Sequence, residues 1–278
     1  MCGLFGVVQP RDSTADPQHD LTMLGLFAEE RGVDAGGLAT FNDQRRWRTS
    51  RTTGPFTSLI RRRTYPALTS QVQVALGHTR AATRGGRTLA QAAPLVAGPL
   101  LGTHNGDLDP HSIPQPQPRR TRDSSDSQLL FAALATAHRD GRHRPAHTLS
   151  ILSNIRGRAA LAWTDTTRAD GRVWLARAGL SPLAVLLDGD GALWWASNPG
   201  WLRSIRPNAD IRLLHEGTIW AVIPRRRHVS VHHLASFKPT TRPYDERVTA
   251  IWRGFSPADR SNDQSQLRHR VRPTAQPA

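Results

Sequence analysis

The chain has 278 residues, 38% of them hydrophobic, and a formal net charge of +15 at pH 7. That length is sufficient for one large core and allows one or two domains. No run of 18 apolar residues occurs, and no basic region with an apolar signal core stands at the N-terminus, so we expect a cytosolic protein without a membrane partner. A single cysteine cannot form an internal disulfide, and without a C-x-x-C pair the sequence predicts neither a metal site nor a cofactor.

That single cysteine, Cys2, directly follows Met1. Removal of Met1 would leave a thiol and a free α-amino group on the same residue. An α-amino group has an ordinary pKa of about 7.7–8.0, so part of it is unprotonated near neutral pH and can accept the thiol proton, directly or through one water. Taken alone, Cys2 is either a nucleophile that carries its own base or an incidental cysteine.

Short apolar segments alternate along the chain with two longer amphipathic ones. The amphipathic segments predict helices over 20–31 and 125–139, the second closed by Gly141. The segments 170–171 and 188–191 are typical of tight hairpin turns. Two antiparallel sheets flanked by helices would accommodate this order, although periodicity alone does not select that α+β arrangement. The predicted strands are 3–8, 36–41, 72–77, 100–104, 159–164, 173–176, 183–187, 193–196 and 218–223.

Four segments, from the end of the first predicted helix to the start of the second, combine charged, amide and glycine residues. Each has an ordinary structural interpretation. Arg31 could pair with Asp34 in a loop, Arg80 could be a solvated surface arginine, Asn105-Gly106 is typical of a turn between strands, and Asp126 suits the first turn of a helix. The segments are Arg31-Gly32-Val33-Asp34-Ala35-Gly36-Gly37-Leu38-Ala39, Gly77-His78-Thr79-Arg80-Ala81-Ala82-Thr83, Thr103-His104-Asn105-Gly106-Asp107-Leu108 and Ser125-Asp126-Ser127-Gln128-Leu129-Leu130.

In this order and at these intervals, together with Cys2, the segments resemble the glutaminase domain of class II glutamine amidotransferases. The similarity is closest to the N-terminal half of glucosamine-6-phosphate synthase, and weaker matches at 176–183 and 196–198 extend it over about residues 2–222. The resemblance implies a four-layer αββα sandwich of the N-terminal-nucleophile hydrolase type. It also implies hydrolysis of L-glutamine to glutamate and ammonia through a thioester on Cys2.

The same resemblance implies roles for the site residues. The Asn105 side-chain amide and the Gly106 backbone N–H would stabilise the oxyanion, and Gly106 would permit close approach and a positive φ. Arg80 would bind the glutamine carboxylate through its two-pronged donor, and Asp126 would bind the ammonium. Thr83 and Arg31 are assigned to the substrate pocket. No such role depends on a cofactor.

The chain departs from the family pattern beside Arg80. Ala81 and Arg84 stand where glucosamine-6-phosphate synthases have a tryptophan and a histidine, and 91–94 reads Gln-Ala-Ala-Pro instead of Asn-Ala-His-Pro. These differences change the pocket wall and the loop that would close over bound glutamine. They leave the nucleophile, the oxyanion donors and the substrate clamps in place.

Residues 109–120 are proline-punctuated and predict an extended surface loop. Residues 223–278 form a basic C-terminal extension with 11 basic and four acidic side chains, expected to be disordered from about Asp259 and dispensable for hydrolysis. This extension is too short for a synthase domain, so a separate ammonia-accepting synthase is the expected partner. The neighbouring histidines His228, His232 and His233 lack acidic or thiol partners and are interpreted as part of a solvated strand.

Hypotheses other than glutamine hydrolysis stay open, and the first of them follows from the basic composition. Runs of arginine at 61–63, 225–227 and 268–272 are typical of nucleic-acid binding, although 36 arginines against the single Lys238 also indicate a GC-rich coding bias. A catalytically inactive family member could serve as a nucleic-acid or protein-binding module. A third hypothesis keeps the fold and the Cys2 nucleophile but assigns a different amide substrate.

Overall fold

The computed structural model describes residues 1–42, 44, 46–82, 85–114, 124–139, 142–242 and 249–267. Within them, all strand pairs of the two large sheets are antiparallel. Sheet A has the strand order β13-β11-β12-β1-β4-β2-β3, and sheet B has the order β15-β14-β10-β9-β6-β5. The strands are β1 (Gly3–Val8), β2 (Ala35–Asn42), β3 (Trp47–Thr52), β4 (Val72–Arg80), β5 (Leu95–Ala97), β6 (Leu100–Leu108), β7 (His138–Arg139), β8 (Arg142–His143), β9 (Gly157–Asp165), β10 (Val173–Gly179), β11 (Ala184–Leu187), β12 (Leu193–Ala196), β13 (Ile211–Leu213), β14 (Thr218–Pro224) and β15 (Val229–Ser236).

Helices cover the outer face of each sheet. Those on sheet A include α1 and α6, and those on sheet B include α4 and α5. The helices are α1 (Gln18–Ala28), α2 (Thr57–Ile60), α3 (Tyr65–Thr69), α4 (Asp126–Ala135), α5 (Pro145–Asn154), α6 (Pro199–Ile205) and α7 (Pro257–Gln266), with 3-10 turns at Glu29–Arg31, Leu89–Gln91 and Ala250–Trp252.

Three apolar clusters hold the layers together, because each sheet buries both of its faces. One lies between sheet A and its helices, and a second lies between sheet B and its helices. The third lies between the sheets, where Val74 and Leu76 of β4 meet Ala162 of β9 and Leu175 of β10. The predicted four-layer αββα sandwich is confirmed.

Most predicted elements are present with shifted ends. Strand β1 and strand β12 begin and end where predicted, whereas β4 and β6 each continue beyond the predicted strand, to Arg80 and Leu108. The first helix gives way to a 3-10 turn at Glu29–Arg31, and the second ends at Ala135. Gly141 and most of the proline-punctuated loop, from residue 115, lie outside the described residues.

Both predicted hairpin turns join antiparallel neighbours, β9 to β10 and β11 to β12. Gly171 and Gly191 occupy these turns with φ values of +66° and +75°. Such values favour glycine, since a side chain would clash with the backbone there.

The C-terminal extension differs from the expected one. Its predicted start after residue 222 falls inside β14, and β15 pairs with β14 along sheet B, with His232 and His233 exposed as predicted for a solvated strand. Residues 259–266, expected to be disordered, belong to helix α7, which Ser256 caps by accepting a hydrogen bond from the Asp259 backbone N–H. The helix is polar, but it buries Asp263 completely.

Candidate active site

The predicted nucleophile and oxyanion donors come from different sheets and meet at one end of the sandwich. Cys2 immediately precedes β1 of sheet A, and Asn105 lies in β6 of sheet B. The Cys2 backbone N–H donates to Asn105 Oδ1 at 3.2 Å. The Cys2 Sγ lies 3.8 Å from the carbonyl oxygen of Ala81, directly after β4. The structure therefore brings three strands together around the thiol.

Burial raises the pKa of the Cys2 thiol, because the surrounding protein disfavours the thiolate. The negative charge of Asp126 raises it further, while the hydrogen bond to Ala81 and the positive charge of Arg80 lower it. With burial the largest of these effects, the thiol is protonated at neutral pH. A nucleophilic role therefore requires a neighbouring proton acceptor.

Met1 occupies a recess beside this thiol. Its side chain packs against an apolar cluster of Leu180, Ile251, Trp252 and Leu267, and Arg158 Nη1 lies 3.0 Å from its sulfur. Burial lowers the pKa of the Met1 ammonium, and nearby arginines lower it further. While Met1 is attached, the Cys2 nitrogen is a peptide N–H and cannot accept a proton.

Asn105 is held from two sides. Its side-chain oxygen accepts from Cys2, and its Nδ2 lies 3.4 Å from the hydroxyl oxygen of Ser197, which also accepts from the Leu4 backbone N–H at 2.9 Å. Both Asn105 and Ser197 are fully buried. Ser197 was not predicted as a site residue, although it belongs to the segment 196–198 that the resemblance covered.

Gly106 lies inside β6, opposite Ala159 of β9, so the interpretation of Asn105-Gly106 as a turn is wrong. The expectation of a positive φ at this residue is also wrong, since Gly106 has none. Glycine is required here for space: a Cβ on Gly106 would lie 1.8 Å from the Arg158 carbonyl oxygen. The space that glycine provides is therefore used for packing against β9, and close approach of the Gly106 backbone to the substrate stays a prediction.

Arg80 ends β4 and is 7% exposed, so it is not a solvated surface arginine. Its Nη1 donates to the carbonyl oxygen of Gly86 at 2.7 Å, and its Nη2 donates to Gln91 Oε1 at 3.1 Å. The guanidinium therefore contacts the loop that follows β4. Thr83, the other pocket residue predicted in this loop, lies outside the described residues.

Asp126 opens α4 and connects this helix to β6. Its carboxylate accepts from the backbone N–H groups of Leu108 and Ser127, both at 2.9 Å. The preceding Ser125 is the N-cap and forms a capping box with Gln128. The expected position in the first turn of a helix is confirmed. The carboxylate contacts β6 at Leu108, two residues after Gly106, and its negative charge acts on the Cys2 thiol.

Arg31 is 1% exposed and contacts the nucleophile's backbone: its Nε donates to the Cys2 carbonyl oxygen at 3.1 Å. The alternative loop ion pair with Asp34 is wrong, because Asp34 pairs with Arg87 at 3.2 Å and accepts from the Ala82 backbone N–H. Burial lowers the pKa of Arg31 to about 10, which leaves it cationic at neutral pH.

Two buried histidines complete the polar network. His78 Nε2 lies 3.0 Å from the His104 carbonyl oxygen, and His104 Nδ1 lies 2.8 Å from the Ser127 hydroxyl. Burial lowers the pKa of both rings, that of His78 to about 3, so both are neutral at pH 7. These hydrogen bonds tie β4, β6 and α4 together behind the site.

Among the described residues, His, Cys, Asp and Glu side chains form no group of three or more that could hold a metal ion. In the same part of the chain, no helix combines the length and apolar character needed to cross a membrane.

Among curated proteins, the chain is similar to enzymes with two names. The chain is 29% identical to the glutamine–fructose-6-phosphate aminotransferase (isomerizing) of Zymomonas mobilis over 84% of its own length and 37% of the relative's. It is 30% identical to the amidophosphoribosyltransferase of Pasteurella multocida over 49% of its own length and 27% of the relative's. The chain thus spans about a third of the length of the curated relatives it matches. No protein-family model matches it.

The fold is found in a solved structure, the glutamine phosphoribosylpyrophosphate amidotransferase of B. subtilis in complex with ADP and GMP. The TM-score is 0.60 at 19% identity, and the match covers 88% of this chain and 52% of that one. At this identity the likeness concerns the fold alone.

Proposed function

We propose, on the premise that this chain is a class II glutamine amidotransferase domain, that it hydrolyses L-glutamine to L-glutamate and ammonia with Cys2 as the nucleophile. The observation that carries the proposal is the hydrogen bond between the Cys2 nitrogen and Asn105 Oδ1, 103 residues apart in sequence. This bond joins the residue that carries the thiol to a buried amide at the end of two sheets, which supports their acting together.

The reaction begins after removal of Met1, which converts the Cys2 nitrogen from a peptide N–H into an α-amine. That amine takes the thiol proton, directly or through a water, and the sulfur attacks the glutamine side-chain carbonyl carbon. Negative charge develops on the carbonyl oxygen, where the Asn105 Nδ2 and the Gly106 backbone N–H donate to it. Collapse of this intermediate breaks the C–N bond, and the departing nitrogen takes the proton from the amine. Water then hydrolyses the γ-glutamyl thioester.

Substrate recognition uses the two charged groups of free glutamine. Arg80 binds the α-carboxylate, because its planar guanidinium, oriented at the end of β4 by donation to Gly86 and Gln91, matches the two oxygens of a carboxylate. Asp126 binds the α-ammonium, since its carboxylate is fixed by two backbone N–H groups and retains further acceptor capacity. Thr83, three residues after Arg80 in sequence, is proposed to contribute to the same pocket, and Arg31 supports the nucleophile from behind.

The ammonia acceptor lies outside this domain, and a separate synthase in the same compartment is the partner we propose. Relatives named for amino transfer to fructose 6-phosphate or for phosphoribosyl transfer support this, since the chain covers only about a third of their length. Cytosolic location stays a prediction of the sequence.

The test uses purified protein whose intact mass shows that Met1 is absent. Incubation with L-glutamine should release glutamate and ammonia in equal amounts. Cys2→Ala and the Met1-retaining form should release neither, because one lacks the sulfur and the other lacks the amine. L-asparagine and other linear amides serve as competing substrates.

Hydrolysis of another amide in preference to glutamine would instead support an amidase that uses the same fold and Cys2 nucleophile on a different substrate. Full activity of the Met1-retaining form would contradict the amine as base. An inert protein that binds RNA or DNA with a steep salt dependence would instead be a binding module.

A further inference from the structure

We propose that residues 249–267, at the far end of the chain from Cys2, position the nucleophile and the oxyanion donor. The inference rests on the proposed function and adds a positioning segment to the same site. It reverses the expectation that residues beyond about 259 are dispensable for hydrolysis. Two separate sets of contacts connect this segment to the site.

The first connection runs through Arg31 to the nucleophile. While Nε of Arg31 donates to the Cys2 carbonyl oxygen, its Nη2 donates to the carbonyl oxygen of Ile251 at 3.1 Å and its Nη1 donates to that of Arg253 at 3.3 Å. All three nitrogens of this buried guanidinium thus donate to backbone carbonyl oxygens, and residues 249–267 supply two of those oxygens. The orientation of Arg31, and with it the Cys2 backbone, depends on where that segment lies.

The second connection runs through Asn198 to the oxyanion donor. Asn198 Nδ2 donates to the carbonyl oxygen of Gly254 at 3.0 Å, and the preceding residue, Ser197, lies beside the Asn105 amide. Gly254 has a φ of +77°, and a Cβ there would lie 2.4 Å from Glu30 Oε1 and 2.8 Å from Asn198 Nδ2. The turn therefore fits against Asn198 only as glycine.

A buried ion pair fixes the segment to the sandwich. Asp263 of α7 and Arg177 of β10 are both fully buried and form two N–H···O bonds, of 2.6 and 3.0 Å. The Trp252 indole N–H donates to the same carboxylate at 2.8 Å, so the ion pair also holds the turn that carries the Ile251 and Arg253 carbonyls. Since a buried charge without its partner is strongly unfavourable, removal of the Asp263 charge should displace α7 and this turn.

Asp263→Asn and Gly254→Ala test the proposal, and Asp259→Asn is the matched control. Asp259 lies on the same helix and loses the same charge, but its partner Arg203 is 48% exposed. Each Met1-free variant is compared with wild type at a temperature well below its own Tm. The readouts are kcat and KM for glutamine, and the pH dependence of alkylation of Cys2 by iodoacetamide. Because Cys2 is the single cysteine, alkylation reports on it alone.

We expect Asp263→Asn and Gly254→Ala to lower kcat by about tenfold or more, because small displacements of reacting groups reduce the rate strongly. KM should stay within about twofold of the wild-type value, because the segment contacts neither Arg80 nor Asp126 in the hydrogen bonds described above. The pH profile of Cys2 alkylation should shift in the same two variants and stay at the wild-type position in Asp259→Asn. If Asp263→Asn does not fold, Gly254→Ala decides the outcome.

Folded Asp263→Asn or Gly254→Ala protein with wild-type kcat and a wild-type alkylation profile would overturn the positioning role. Equal losses in Asp259→Asn would also overturn it, because the effect would then follow the charge of α7 rather than the buried contacts. If wild type does not hydrolyse glutamine, the proposed function fails, while the alkylation comparison still decides this inference.

Discussion

Asn105→Ala tests the electrostatic part of the mechanism most directly. The Asn105 side chain is fully buried, and its Nδ2 has Ser197 as a neighbour at 3.4 Å. The second of its two N–H donors is the one proposed to meet the oxyanion. Loss of one such preorganised donor lowers kcat by about 10²–10³, or roughly 2.7–4 kcal/mol of transition-state stabilisation. KM should change little, since the charge appears only after attack.

The assay is steady-state glutamine hydrolysis by Met1-free protein, with Tm measured on the same samples. Asn105→Asp is the companion variant, since it keeps the size and the oxygen that accepts from the Cys2 nitrogen but loses the N–H donors. Both variants should lose kcat if Nδ2 stabilises the oxyanion. A loss in Asn105→Ala with wild-type kcat in Asn105→Asp would show that Asn105 only positions Cys2, and a change confined to KM would assign it to substrate binding.

Two further predictions concern charge. Arg80→Lys should raise KM for glutamine strongly and change kcat less, because an ammonium cannot reproduce the planar guanidinium donor. Steady-state kinetics measure both constants, and an unchanged KM would show that Arg80 does not bind the substrate. The free energy of unfolding should fall on acidification from pH 6.5 towards about pH 3, because the unfolded chain binds a proton at His78 that the folded chain excludes. The contribution is about 1.4 kcal/mol per pH unit for this residue. Urea unfolding at several pH values measures it, and His78→Gln should reduce the slope by one proton. An unchanged slope in His78→Gln would contradict the exclusion of the proton by the fold.

The central strands could be predicted because they are buried on both faces. β1 and β9 contain only buried residues, and each includes a continuous apolar run, GLFGVV in β1 and AALAW in β9. The edge strand β3 escaped prediction for the opposite reason, and β15 was predicted only around its histidines: most side chains of both strands are partly or fully exposed, and their sequences are correspondingly polar. Their strand conformation comes from pairing with a neighbour, which a local pattern does not contain.

Helix α7 illustrates a second limit. Its sequence, PADRSNDQSQ, is polar throughout and is typical of a solvated or disordered segment. What fixes it is the carboxylate of Asp263, whose partner Arg177 stands 86 residues earlier. Hydropathy treats both residues as solvated, so burial of such a pair can be recognised only once the fold brings them together.

The active site also combines residues that the sequence predicts with contacts that only the fold reveals. The family resemblance supplied the nucleophile, the amide and the charged residues by position, and the structure brings the described ones among them to one end of the sandwich. It did not supply Ser197, the His104–Ser127 hydrogen bond, or the carbonyl partners of Arg31, which stand 220 and 222 residues away. These contacts hold the reacting groups from behind. His104, Ser127 and Ser197 stand in segments that the resemblance covers, but which residues they contact depends on the fold and cannot be recognised from the motif.

The environment of Cys2 explains why its activation would have to come from the chain terminus. Burial and the nearby Asp126 both raise the pKa of the thiol, so the site does not stabilise a free thiolate. At the terminal ammonium, in contrast, burial and the charges of Arg31, Arg253 and Arg158 all lower the pKa. The charge of Cys2 acts in the opposite direction, but burial is the largest effect, so the surroundings increase the unprotonated fraction of a terminal amine. Removal of Met1 would place the terminal amine on Cys2 itself, whose carbonyl oxygen accepts from Arg31, so the residue that orients the nucleophile would also lie beside its base.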